Sequence, residues 1–160
     1  MELHVRERRG VYRPATAVEI RAAALAHLHR HRVRRGLALS SSALVHEYLS
    51  IAYGARESEL FGMLMLDNRR QLLGVAELFN GTIDGARIYP REVVKTALAA
   101  NAAAVVIFHN HPSGNPEPSQ SDETITRRLR DALALVDVRV LDHVIVAGDA
   151  HVSFAAKGLL

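Results

Sequence analysis

The sequence predicts an α/β domain, three layers deep, with helices packed on both faces of a mixed sheet. Two continuous apolar runs, Glu59-Leu60-Phe61-Gly62-Met63-Leu64-Met65-Leu66 and Ala102 to Phe108, have the length of strands buried on both faces. Other stretches carry apolar residues at three- and four-residue spacing behind capping signals, the mark of amphipathic helices. After an initial hairpin the two kinds of segment alternate, which is the order that builds a layered sheet.

Taken in order, residues 1–15 are polar and unpatterned and read as a loose lead-in. Thr16-Ala17-Val18-Glu19 has capping-box spacing and starts a helix that runs to about Arg35, with Gly36 able to follow its end. Its apolar stripe is Ile20, Ala24, Leu25 and Leu28. The other face is Arg and His; His27 and His31 lie four apart on one helix face and, lacking a third ligand, read as a surface pair. Ser40-Ser41-Ser42 caps a second helix, Ala43 to about Tyr53. The strand from Glu59 to Leu66, a turn at Asp67-Asn68-Arg69-Arg70 and a return from Gln71 to Phe79 make the hairpin. Asn80-Gly81 and Asp84-Gly85 are further turn signals. Pro90 opens a third helix, Pro90 to Ala100, which Asn101 can end. A strand to Phe108 follows, then a polar loop, then a helix from Ser119 to about Val136. Arg139 to Val146 reads as a strand, Gly148-Asp149 as a turn, and His151 to Phe154 as a last short strand.

At 160 residues the length fits one folded domain behind a short extension, with boundaries expected at 1–39 and 40–160. The hydrophobic fraction of 49% and charged fraction of 23% are those of a globular protein. With no cysteine, disulfides, thiolate catalysis and sulfur-ligated zinc are excluded, and a reducing cytoplasm is the expected compartment. No signal peptide or membrane span is read. The net charge of +3 is uneven: residues 1–36 hold nine arginines against Glu2, Glu7 and Glu19, while the remainder holds eleven basic and fourteen acidic residues. An Arg-rich helix over 16–35 is either a solvated surface or a phosphate contact, salt-dependent and indifferent to sequence. No aromatic residue interleaves residues 20–35, so base stacking is not supported.

The chemistry concentrates between residues 109 and 122. In an extended strand His109 and His111 project to the same side, roughly 7 Å apart along the chain. Pro112, Pro116 and Pro118 force the chain out of the sheet, and Asp122 falls in the first turn of the next helix. Two imidazoles and a carboxylate with a fourth position open form the ligand set of a catalytic zinc site, one Zn²⁺ per chain. Ser119 and Asp122 also have the spacing of a helix cap, and either residue can serve that end alone.

His109, His111, Ser119 and Asp122 together spell His-x-His, seven residues, Ser-x-x-Asp, which resembles the JAMM (MPN-plus) metalloprotease motif. Phe79-Asn80-Gly81-Thr82, Pro90-Arg91-Glu92, Asn101-Ala102-Ala103-Ala104, His109-Asn110-His111-Pro112-Ser113-Gly114 and Leu141-Asp142-His143 look like the bacterial RadC group. The likeness covers roughly residues 40 to 160 and is closest to the short prophage and plasmid form without a helix-hairpin-helix region. It implies the JAB/MPN fold, related to cytidine deaminases, with His109, His111 and Asp122 on the metal. It also implies a metal-activated water that hydrolyses a peptide or isopeptide bond, Glu59 as general base, and Ser119 as donor to the oxyanion. Glu77 and Glu92 are rival bases. Glu117 reads as a solvated loop residue, and Asp142-His143 as a support for a ligand imidazole. Deubiquitinating members have Ser or Thr where this chain has Asn110, so the substrate stays open, as does the oligomeric state. The alternatives are a DNA-associated repair or recombination accessory whose metal site is structural or inactive, and a metal-stabilised interaction module. A nucleobase deaminase needs Pro-Cys-x-x-Cys ligands and is excluded.

Overall fold

A computed structural model describes residues 3–6, 12–32, 41–81 and 88–160. Two compact units divide the chain, residues 1–35 and residues 36–160. The expected helix end near Arg35 and Gly36, the residues Ser40 and Thr82, the turn at Asp84-Gly85, and the side chains of His27 and His31 lie outside the described residues.

In the first unit the described residues of the lead-in pair with one another. Two three-residue strands, β1 (His4–Arg6) and β2 (Tyr12–Pro14), pair antiparallel with Val5 opposite Arg13. Strands this short carry no readable alternation. Helix α1 (Ala17–Arg32) begins as expected. Glu19 accepts from the Thr16 backbone N–H and hydroxyl, both at 2.9 Å, and its own N–H donates to Thr16 Oγ1. A bidentate pair with Arg13, at 2.6 and 2.9 Å, adds to these bonds and holds the Glu19 carboxyl down at about 2.

The second unit is a five-stranded sheet in the order β4-β3-β5-β6-β7, formed by β3 (Leu60–Leu66), β4 (Leu72–Asn80), β5 (Ala104–Asn110), β6 (Arg139–Ala147) and β7 (Ala150–Ser153). Only the β5–β6 pair is parallel, so the sheet is mixed as predicted. Every residue of β3 and of β5 is buried, which explains their unbroken apolarity. Helix α2 (Ser42–Tyr53) covers one face. Helices α3 (Pro90–Ala99) and α4 (Gln120–Ala134) pack together over the other. Alternation sorts β5 accordingly. Val105 and Ile107 join Val93, Ala97, Ile125 and Leu129 in one core, while the Phe108 ring lies 4.5 Å from that of Tyr53 in α2. His109 continues the first set and Asn110 the second.

Two endings differ from expectation. The chain after β7 turns into a one-turn helix, α5 (Phe154–Lys157), instead of extending the strand through Phe154. Asp142 explains the difference: it accepts from the Ala155 N–H at 3.0 Å and from the Ser153 hydroxyl at 2.6 Å, anchoring the helix start across the sheet. Asn101, at φ 51°, ends the α3 segment in the left-handed conformation that asparagine tolerates.

Gly62 is the tightest point near the site. A Cβ there would enter the Phe108 ring and stand 2.9 Å from the Ala76 carbonyl oxygen, beside the irregularity in β3–β4 pairing between Phe61 and Gly62. Gly62→Ala is expected to lower stability by about 1–3 kcal/mol, the usual cost of overpacking a filled core. Denaturant titration measures it, and an unchanged midpoint would contradict this packing.

Candidate metal centre

The strand β5 ends where the site begins. His109 is its penultimate residue, and the His111 backbone N–H still donates to the Val146 carbonyl of β6 at 2.8 Å. The chain then turns through Pro112 and Ser113, with Gly114 at φ 82°, a conformation that favours glycine. Helix α4 starts with a reciprocal cap. The Ser119 hydroxyl and backbone N–H donate to Asp122 Oδ2 at 2.6 and 2.7 Å, and the Asp122 N–H donates to Ser119 Oγ at 3.1 Å. This cap engages one carboxylate oxygen fully and leaves the other aimed back at the strand end.

Three residues whose atoms could ligate one metal ion meet there. His109 Nε2 stands 2.9 Å from His111 Nε2 and 3.3 Å from Asp122 Oδ1, and His111 Nε2 is 3.9 Å from Asp122 Oδ2. The His109 and Asp122 side chains are 0% and 1% exposed and that of His111 is 15% exposed, so the group opens to solvent on one side only. Asp122 Oδ1 is buried without a hydrogen-bond partner. Among the described residues, these three form the only cluster of histidine and carboxylate groups able to share a metal ion.

The hydrogen bonds behind the imidazoles decide which nitrogens carry protons. His111 Nδ1 lies 2.7 Å from the Asn115 carbonyl oxygen, which can only accept, so that nitrogen bears the hydrogen. Thr126 Oγ1 lies 2.6 Å from the Asp122 carbonyl oxygen and spends its one proton there. It therefore accepts from His143 Nδ1, also at 2.6 Å. Neutral His143 is left with a bare Nε2, which accepts from His109 Nδ1 at 2.8 Å. Both Nε2 atoms then face each other with lone pairs, beside an unpaired carboxylate oxygen. Only positive charge placed between them balances that arrangement, and two nitrogens with a carboxylate suit a divalent metal ion.

Burial keeps the His109 and His143 rings neutral. It pushes the His109 imidazole down to about 4, against the pull of Asp122 and with the help of His111. His143 is driven well below its ordinary value, first by burial and then by the imidazoles of His109 and His111. Phe61 stacks on His109 with centroids 6.2 Å apart, and Phe154 stacks on His143 at 4.6 Å, so apolar rings wall the pair.

The sequence model of the RadC-like JAB domain matches residues 39–159. The chain belongs to the RadC-like JAB domain family. It is 52% identical over 150 residues to a UPF0758 protein of Xanthomonas oryzae pv. oryzae, an alignment covering 92% of this chain and 66% of that protein. A UPF0758 protein of Thioalkalivibrio sulfidiphilus is 60% identical over 126 residues, covering 79% of this chain and 56% of the relative. One of Vibrio cholerae serotype O1 is 53% identical over 135 residues, covering 84% and 85%. The chain thus spans just under two thirds of the Xanthomonas relative's length. No helix among the described residues is long and apolar enough to cross a membrane.

The RadC-like JAB domain places the rival glutamates apart. Phe61 pairs with His109 across β3 and β5, and Glu59 lies two residues before Phe61, just outside the start of β3. Glu77 pairs with Gly62, the position that faces Phe108 and α2, and forms an ion pair with Arg56 at 2.5 Å. Glu92, in the first turn of α3, pairs with Lys95 at 3.0 Å. Glu117 is exposed and bonded to Lys157 at 2.6 Å.

The sequence did not reveal what Asn110 does. Its side chain accepts from the Leu60 N–H at 2.8 Å and donates to the Ser58 and Arg56 carbonyls at 3.1 and 3.4 Å. It ties the backbone on both sides of Glu59 to the strand that carries His109. The signal was its place between two histidines, which by alternation aims it at the opposite face. His143 supports a ligand imidazole as expected, whereas its neighbour Asp142 serves α5.

Proposed function

We propose that this RadC-like JAB domain is a zinc-dependent hydrolase of peptide or isopeptide bonds. The observation that carries the reading is the convergence of two lone-pair nitrogens and an orphaned carboxylate oxygen in one buried, one-sided pocket. His109, His111 and Asp122 would hold the ion. Bound there, a divalent ion supplies Lewis-acid chemistry, polarising a carbonyl and making water acidic enough to ionise near neutral pH.

Around it the protein's own groups divide the work. Glu59, held at the strand end by the Asn110 clamp, accepts a proton from the attacking water and delivers it to the departing amine as the C–N bond breaks and a C–O bond forms. The Ser119 backbone N–H orients Asp122, while its hydroxyl gives up its bond to that carboxylate and turns toward the substrate to donate to the developing oxyanion. The Phe61 ring beside His109 keeps the inner wall dry.

Glu59→Gln tests the assignment. The variant is expected to keep its metal and lose roughly 10²–10⁴-fold in hydrolysis, measured on a panel of peptides and ubiquitin-like carriers. Unchanged turnover would remove Glu59 as the base. If the wild-type protein carries zinc but neither cleaves any member of the panel nor depends on Glu59 for its biological effect, the domain is a metal-stabilised module.

A further inference from the structure

Behind the ligands lies a buried hydrogen-bonded chain through His143 and Thr126, two side chains that the hydrolytic reading does not use. It runs His109 Nδ1, His143 Nε2, His143 Nδ1, Thr126 Oγ1 and the Asp122 carbonyl oxygen, with separations of 2.8, 2.6 and 2.6 Å between residues. His143 is 0% exposed and Thr126 1%. The chain starts on one ligand and ends on the backbone of another, through β6 and α4.

We propose that Thr126 and His143 are positioning residues that fix the tautomer of His109 and so decide whether the metal site is open. The inference rests on the reading of His109, His111 and Asp122 as ligands. Its logic is proton counting. A carbonyl oxygen has no hydrogen, so the hydroxyl must point at Asp122 and can only accept from His143. Neutral His143 can then only accept from His109, whose own hydrogen must sit on Nδ1. The direction of every bond is thus set at the helix end and transmitted about two side chains inward, leaving Nε2 of His109 free.

Without the hydroxyl the polarity loses its anchor. A His143 carrying its hydrogen on Nε2 would donate to His109 Nδ1, and the His109 hydrogen would move to Nε2, where the ion should go. A ligand histidine is usually backed by a carboxylate, a carbonyl or water. Here a second histidine stands in that place, and it can face either way. Thr126 supplies the direction.

The experiment compares Thr126→Val, which keeps the branched shape, with Thr126→Ser, which keeps the hydroxyl. Zinc affinity is measured by competition with a chromogenic chelator, and the His109 tautomer by ¹⁵N shifts of histidine-labelled protein with and without zinc. Thermal unfolding of each variant checks that it is folded. Expected are a 10- to 100-fold loss of affinity and movement of the hydrogen toward Nε2 in Thr126→Val, with recovery in Thr126→Ser. Should Thr126→Val not fold, His143→Gln, whose amide oxygen can still accept from His109 Nδ1, is compared with His143→Leu, which has no acceptor. Retained affinity in the first and loss in the second is then the expected result. Wild-type affinity together with an unmoved hydrogen in Thr126→Val, or in His143→Leu, overturns the inference. A wild-type protein that binds no zinc would instead sink the ligand assignment, while the ¹⁵N comparison in metal-free protein still decides whether Thr126 sets the tautomer.

Discussion

His109→Ala is expected to abolish stoichiometric zinc binding and with it all metal-dependent hydrolysis. The ring contributes one of three candidate ligands, and the two residues that remain, His111 and Asp122, lie 3.9 Å apart from His111 Nε2 to Asp122 Oδ2. The loss is also structural. Removing the imidazole leaves His143 Nε2 buried without its donor, a penalty of about 1–3 kcal/mol before any cavity term. Zinc addition separates the two effects. A ligand at 1,000 times its dissociation constant adds about 4 kcal/mol to the folded state. The wild-type melting temperature should rise on adding zinc and that of His109→Ala should not. One tightly bound zinc per chain in His109→Ala would end the assignment.

The second large effect concerns acid. In chelated protein the folded state keeps His109 and His143 neutral, because burial holds both below the ordinary value of 6.5. The unfolded chain takes up a proton at each near 6.5, so between that value and the folded pKa the unfolded state binds more protons and stability rises with pH. The contribution is complete above about 6.5 and shrinks as pH falls, until His109 reaches its folded value of about 4 and His143 a value well below 6.5. Each titration costs about 1.4 kcal/mol per pH unit over its window. At pH 5 the His109 ring alone costs about 2 kcal/mol and His143 adds to it, a large part of the 5–15 kcal/mol typical of a domain. Urea unfolding of chelated protein from pH 8 to pH 4.5 measures the slope. A stability unchanged between pH 7 and pH 5 would contradict the buried neutral pair. Replacing His143 with Leu should flatten the curve.

Much of the architecture was legible because it is governed by local rules. The unbroken apolarity of residues 60–66 and 104–108 marks strands with no wet face. The caps at Thr16, Ser41 and Ser119 start helices where their side chains can reach backbone N–H groups. The ligand trio was legible for a similar reason. His109 and His111 share a face by strand periodicity, and Asp122 has its place fixed by the cap that follows three prolines. The three-residue strands of the lead-in were not legible, since pairing so short leaves no pattern. Nor was α5, whose start is held by Asp142, eleven residues before Ser153.

The sequence by itself determined the fold class, the family and the three residues that could hold a metal ion, because each depends on spacing along the chain. The tertiary structure alone decided that Asn110 braces the backbone on both sides of residue 59, and that Thr126 lies one hydrogen bond from His143. Those are contacts between residues 17 to 54 positions apart, brought together by strand register and helix packing. Hydrogen-bond direction depends on such neighbours, and no periodicity in one dimension records it.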